Sequence, residues 1–488
     1  MIFDLKKYSQ KYALEDEEGN KITYGEIEAL SEKIRKKIGT RKLVCILSNN
    51  TIGALLYYIA LLCSDNVVMI LDASIPMEQL ECCLKKYSPD YVCQEKETAI
   101  EKWFNSSMAV ECVVSSNNYS ISKSKYDLNK TINAQLALLL PTSGTTGGLK
   151  MVRQSYHNIL ANARSIIKYL EISIWDRPIL SLPISYTYGL SIVHSHIAVG
   201  ACLFIPSSKI YQKKFWEFCI QKRITSFSGV PYSYEVLDKL SFYQLNIPDL
   251  RVMTQAGGKL ADRLQRKFIT YAKQHHIRFY VMYGQTEATA RMSYIVYGSN
   301  DIVPDNADDE TLHSSEGEEK IGSIGKAIPG GEMYLKDSEN NIITQPYVEG
   351  EIIYKGENVS LGYAYNAGDL QIGDENRGIL QTGDIGYQDT DGFFYITGRK
   401  SRFVKICGKR ISLDDVEERI KRTYPDLPCA VVGNDKKIIV YMEKDKTREI
   451  KQLLKEYLKF HLTQMETVVL EKLPYSHSGK IAYAMLKQ

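Results

Sequence analysis

Apolar positions change period several times over the first ninety residues. In 22–39 (ITYGEIEALSEKIRKKIG), Ile27, Leu30 and Ile34 recur three and four apart, which predicts a capped amphipathic helix stopping at Gly39. The unbroken apolar run 42–48 (KLVCILS) predicts a buried strand. A helix at 51–63, a strand at 67–72 (VVMILD) and a helix at 77–87 follow. Strand and helix in alternation predict parallel sheet with crossover helices. The same rhythm returns at 201–206, 215–222, 224–228 and 261–282.

The pattern then shifts. Residues 300–319 hold eight acids and no Lys or Arg, as expected of a solvated insertion. From 321 to 396 the chain reads as short β runs between Gly-rich turns (GSIGKAIPGGEMYL, EGEIIYKG, DGFFYITG). After Gly398 the α/β rhythm resumes, which predicts a domain boundary near 399–402.

Composition narrows the class without naming a chemistry. The 488 residues carry 61 Lys+Arg against 58 Asp+Glu, and 44% are hydrophobic. These values exclude a mainly disordered or collagen-like chain and give no electrostatic reason to expect nucleic acid. The apolar stretches 51–71 and 190–206 are interrupted by polar residues before 18 positions accumulate, so no membrane insertion is expected. With no apolar leader and no CxxC pair among ten cysteines, a cytoplasmic protein with reduced thiols is expected.

The segment 138–150 (LLLPTSGTTGGLK) carries the strongest chemical signal. Gly144, Gly147 and Gly148 let the backbone curl its N–H groups around an anion, and Thr142, Ser143, Thr145, Thr146 and Lys150 add hydroxyls and charge. A helix bearing Ile159, Ala163, Ile166, Ile167 and Leu170 on one face is expected after it. The loop lacks the Gly-Lys-Ser/Thr ending of a Walker A motif. Three further stations follow in order: Tyr283-Gly284-Gln285-Thr286-Glu287, then Gln381-Thr382-Gly383-Asp384 with Gly398-Arg399, and a tail PYSHSGK ending at Lys480.

On these four stations the chain resembles the adenylate-forming superfamily of acyl-CoA synthetases, luciferases and peptide-synthetase adenylation domains. The resemblance runs over essentially the whole chain. It departs from the family at Leu149, where Pro is usual, and at the hinge Ser401, where Asp or Lys is usual. It implies an α/β fold: a large N-terminal domain of doubly wound sheets plus a small β-barrel-like part (1–398), which binds ATP and the acid, and a small mobile α+β C-terminal domain (399–488). It further implies that the loop Thr142–Gly147 and Lys150 hold phosphates, and that Gly257, Gly258 and Tyr283 flank adenine within a nucleotide site that includes Gly284 and Gln285. Thr286 contacts the α-phosphate, Glu287 holds Mg²⁺, Asp384 takes the ribose hydroxyls with Arg399 behind it, and Lys480 is catalytic. Lys405, Gly408 and Arg410 fall where the family meets pantetheine.

The implied reaction is ATP-dependent activation of a carboxylic acid as acyl-adenylate, followed by transfer to a thiol. Tyr186 stands where acyl-CoA synthetases often keep a gating His. Residues 182–200 contain no acid to pair with an α-ammonium, which argues for an acid without an α-amine. Ser228, Gly229, Tyr232, Met253 and Ala288 are the other expected pocket residues. The acceptor stays open between coenzyme A and the phosphopantetheine of an acyl carrier protein, with GKRISLDDVE leaning to enzymes that load carriers. A nucleotide-binding protein without turnover, and a stand-alone amino-acid adenylation enzyme, are the competing readings.

Overall fold

The computed structural model describes residues 2–126, 130–142, 150–298, 320–406, 409–434, 436–458, 462–475 and 481–486. The acidic stretch expected to be a solvated insertion lies outside them. The chain divides into two compact units, one of residues 1–144, 148–332 and 355–380, the other of 145–147, 333–354 and 381–488.

The first unit is built on two sheets. In one, Tyr91–Glu95, Leu43–Ser48, Val67–Asp72 and Leu136–Thr142 run parallel. Helices Ile52–Cys63 and Met77–Tyr87 connect the first three in sequence, and the predicted helix Tyr24–Ile38, whose Thr23 and Glu26 form a reciprocal cap, precedes them. In the other, Tyr12–Asp16, Leu203–Ile205, Pro178–Ile179, Ser226–Gly229, Val252–Gln255 and Arg278–Tyr283 are parallel, and Ser293–Tyr297 then pairs antiparallel. Helix Ile52–Cys63 is apolar on every side and touches strands of both sheets. That explains why it carries no polar stripe. Among the described residues no helix is long and apolar enough to cross a membrane.

One expectation needs correction. The chain after the glycine-rich loop does not enter a helix directly. Lys150–Ser155 is a strand paired antiparallel to Leu136–Thr142, with Thr142 opposite Lys150. The helix Tyr156–Leu170 begins only after it, capped by Ser155. Four of the strand's residues, Met151, Val152, Arg153 and Gln154, are all buried, so no alternation marks it as a strand in the sequence. The loop therefore joins two strands, and the N-terminus of that helix lies a strand's length away from it.

The buried Arg153 ties this strand to Gly362–Ala364, its antiparallel neighbour. At 0% exposure it donates to the carbonyls of Tyr363, Leu361, Ile372 and Gly373, and it pairs with Glu375. Helices Ile52–Cys63 and Thr187–Val199 are joined by the Tyr58 hydroxyl and His194 Nε2 at 2.6 Å.

In the second unit, strands Ile379–Gln388 and Phe394–Arg399 pair antiparallel. A hairpin, Phe403–Ile406 with Lys409–Ser412, leads into helix Leu413–Thr423. A three-stranded sheet of Cys429–Gly433, Ile438–Met442 and Met465–Val469 closes a core with helix Thr447–Leu458. Tyr475 and Ile481 form an isolated antiparallel bridge.

Two outcomes test this packing. Arg153→Met removes the donor to four carbonyls and the partner of Glu375 and should cost about 3–5 kcal/mol in urea unfolding. Burial lowers the His194 pKa to about 3 and that of His196 to about 4. The unfolded chain thus takes up protons at these sites below the ordinary histidine pKa while the folded chain does not. Stability contributed by both is complete above about pH 6.5 and falls on acidification toward pH 4, by up to ~1.4 kcal/mol per pH unit per histidine. Thermal melts across this range should show the fall, and His194→Gln, which keeps an acceptor for Tyr58, should flatten it.

Candidate functional site

Sequence-distant stations converge in the first unit. Lys150 opens its strand, and its ammonium sits 3.7 Å from the centre of the Tyr363 ring. The Tyr363 hydroxyl donates to Glu287 Oε1 at 2.8 Å. A cation and a carboxylate thus occupy the face and the tip of one tyrosine. Burial, then the Glu287 carboxylate, pushes the Tyr363 phenol well above its ordinary range, so it remains a donor. Tyr363 was not foreseen; in the sequence LGYAYN nothing marks it apart from 33 other tyrosines. Thr142, opposite Lys150, has its Oγ1 buried without a hydrogen-bond partner among the described residues. Ser143, Gly144, Thr145, Thr146 and Gly147 lie outside those residues.

Glu287 is held by a turn. Tyr283 ends a strand, and Thr286–Ala288 forms a single 3-10 turn after it. Gln154 donates to the Thr286 carbonyl at 2.9 Å, the Ser360 amide to that of Glu287 at 2.8 Å, and Asn358 to that of Ala288 at 2.8 Å. Thr289 and Ala290 then take φ of +55° and +116°. A left-handed alanine carries strain, of the kind that survives where surrounding structure over-determines it. Gly284 faces that segment: a Cβ on it would lie 1.6 Å from the Ala290 carbonyl oxygen. Gln285 donates to the Tyr283 hydroxyl at 3.1 Å.

Tyr186, Gly257, Tyr283, Gly284, Ala290 and Arg291 border one cavity. Gly257 has φ +87°, and a Cβ there would lie 2.6 Å from the Tyr186 hydroxyl. Burial raises the Tyr186 phenol to about 12. Gly258 is next to Pro231 and accepts from Gln255 at 2.8 Å. Beside the cavity, the hydroxyls of Tyr188 and Thr254 lie 2.6 Å apart, and Thr254 donates to Ser228 at 2.8 Å. Thr254 and Ser228 are register partners and share a face of the sheet. Met253 follows the opposite face of its strand and is fully buried. Gly229 abuts Ser233, Tyr234 and Phe227, Ala288 is buried in the turn, and Tyr232 is 54% exposed. Of the expected acyl-pocket residues, Tyr186 borders the cavity and Ser228 is linked to its margin; the other four are not among the residues that border it.

The remaining stations belong to the second unit. Asp384 and Arg399 are direct cross-strand partners, with the Arg399 Nε 2.9 Å from Asp384 Oδ1. Asp384 is 2% exposed, and its amide donates to Thr382 Oγ1 at 3.0 Å. The Arg399 amide donates to Asp414 Oδ2 at 3.0 Å. Burial pushes the Asp414 carboxyl up, against the pull of Arg402. Lys405 and Arg410 stand directly opposite each other in the hairpin register. Gly408 and Lys480 lie outside the described residues.

Does this donor set suit a nucleotide triphosphate and a hard cation? Lys150 forms no ion pair with a carboxylate among the described residues, Thr142 has an orphan hydroxyl, and Glu287 offers a carboxylate nearby. Among the described residues no three His, Cys, Asp or Glu cluster as a metal cage. One carboxylate with phosphates supplying the remaining oxygens is the usual arrangement for Mg²⁺. The residues fit both groups.

Comparison with known proteins agrees with this geometry. A family described as AMP-binding enzyme matches residues 4–364, and the chain belongs to that family. The oxalate–CoA ligase of Arabidopsis thaliana is 28% identical over 371 residues, 72% of this chain and 67% of that enzyme. The 2-succinylbenzoate–CoA ligase of Geobacillus sp. is 25% identical over 503 aligned positions, 98% of this chain and 94% of that enzyme. The o-succinylbenzoate CoA synthetase of Bacillus subtilis, solved with its acyl-adenylate, shares the fold with a TM-score of 0.76 at 21% identity, covering 99% of this chain and 97% of that one.

The Gly284 contact yields a direct test. Gly284→Ala forces the Cβ into a backbone carbonyl and opens the Glu287 turn. ATP affinity measured by calorimetry should fall at least about tenfold, near 1.4 kcal/mol, with the far-ultraviolet spectrum unchanged.

Proposed function

We propose that the chain activates a small carboxylic acid with ATP, releasing pyrophosphate, and transfers the acyl group from the resulting acyl-adenylate to the thiol of coenzyme A. The contact of Lys150 and Glu287 with a single tyrosine carries this reading, because it puts phosphate-binding charge and metal-binding charge side by side. The named activities of the relatives support it.

A free carboxylate is a poor acyl donor because oxide would have to leave. Attack of its oxygen on the α-phosphorus breaks the bond to pyrophosphate and leaves AMP on the acyl carbon. A thiolate then attacks that carbon and AMP departs. Lys150 and the loop Thr142–Gly147 hold the outer phosphates, Thr286 steadies the α-phosphate, and Gly257, Gly258 and Tyr283 bracket adenine. Glu287 would hold Mg²⁺, which when bound neutralises phosphate charge. Asp384, oriented by Arg399, takes the ribose hydroxyls. Lys480, in a mobile domain of residues 399–488, stabilises charge developing on the α-phosphate, and positioning supplies most of the rest. Lys405, Gly408 and Arg410 take the pantetheine arm. A carrier protein presents the same arm, and GKRISLDDVE favours it as the second acceptor.

Isotope exchange between pyrophosphate and ATP, dependent on an added acid, measures the first step. Lys480→Ala should slow it about 10²–10³-fold; an unchanged rate removes that lysine from adenylation. Tight ATP binding with no exchange for any acid would instead support a nucleotide-binding protein without turnover. Thioester formation with coenzyme A against a pantetheinylated carrier protein assigns the acceptor.

A further inference from the structure

Arg291 comes four residues after Glu287, borders the cavity and is only 2% exposed. Its Nε donates to Ser191 Oγ at 3.0 Å, and its Nη1 donates to the Tyr169 hydroxyl at 3.0 Å with the Met282 sulfur at 3.4 Å. The centre of its guanidinium lies 5.1 Å from the centroid of the Tyr188 ring. Every one of these partners is neutral. Among the described residues no Asp or Glu pairs with Arg291, and its Nη2 makes no hydrogen bond.

Three other enclosed arginines among the described residues have a carboxylate. Arg153 has Glu375, Arg278 has Glu171, and Arg402 has Asp414 and Glu417. A guanidinium cannot shed its proton to escape burial, and a buried charge without a counter-charge is costly. Arg291 therefore stands as half of an ion pair whose other half the described chain does not supply. Next to it, Tyr188, Thr254 and Ser228 form a run of hydroxyls that can turn toward an anion.

Resting on the ligase reading above, we propose that the missing half is a second carboxylate on the substrate. The acid is then a dicarboxylic acid, with one carboxylate adenylated and the distal one paired with Arg291. The distal group undergoes no bond change; it fixes which acids enter and how deep the reacting carboxylate sits.

The test is pyrophosphate exchange by the full chain over two chain-matched series: oxalate, malonate, succinate and glutarate against acetate, propionate, butyrate and pentanoate. The wild type should favour one dicarboxylate over its monocarboxylate counterpart by on the order of 10²-fold in kcat/KM. Arg291→Met should collapse that ratio toward one, mostly through KM for the dicarboxylate, and Arg291→Lys should restore part of it. Wild-type kcat/KM equal or higher for monocarboxylates would overturn the inference and leave the ligase reading standing, whether or not the variants fold. A dicarboxylate preference that survives Arg291→Met would overturn it as well. Exchange with no acid of either series would overturn this inference, and the ligase reading would then stand or fall on 2-succinylbenzoate and other aryl acids.

Discussion

The first unit depends on the way Arg153 is satisfied. A guanidinium sealed from water must have each donor met, and Arg153 meets them with carbonyls of residues more than two hundred positions further along the chain. This fixes strand Gly362–Ala364 against Lys150–Ser155. Tyr363 is then placed so that its ring receives Lys150 and its hydroxyl reaches Glu287. A structural arginine thereby determines where the Lys150 ammonium and the Glu287 carboxylate meet Tyr363, without touching either. Because these bonds share one guanidinium, each orders the group for the others.

The second unit uses the same economy on a smaller scale. Asp384 is aligned by its cross-strand arginine and by its own amide on Thr382. Glu417 accepts from Arg402, Lys421, the Val431 amide and Tyr483. Tyr483 is thus anchored to helix Leu413–Thr423, and Ile481 bridges to Tyr475.

Local patterns in the sequence were enough for the early α/β alternation, because capping boxes and apolar periods act over a few residues. The motifs singled out Lys150 and Glu287, which the structure brings to one tyrosine, and Asp384, which it pairs with Arg399. The strand Lys150–Ser155 escaped because burial on both faces erases alternation. Tyr363, Thr254 and Arg291 escaped for a different reason: their roles exist only through partners brought in by topology. Single tyrosines or arginines carry no such information, and neither does a lone Met253 or Tyr232, one sealed in the sheet and the other exposed.

The Tyr186 phenol fills the space that a side chain on Gly257 would claim. A side chain at position 257 and the Tyr186 phenol are therefore mutually exclusive occupants of one volume, and the phenol stands at the cavity border as a plug. Evolution could resize such a chamber by trimming the plug, leaving the nucleotide-binding frame untouched, which gives a family of this kind an inexpensive route from one acid to another.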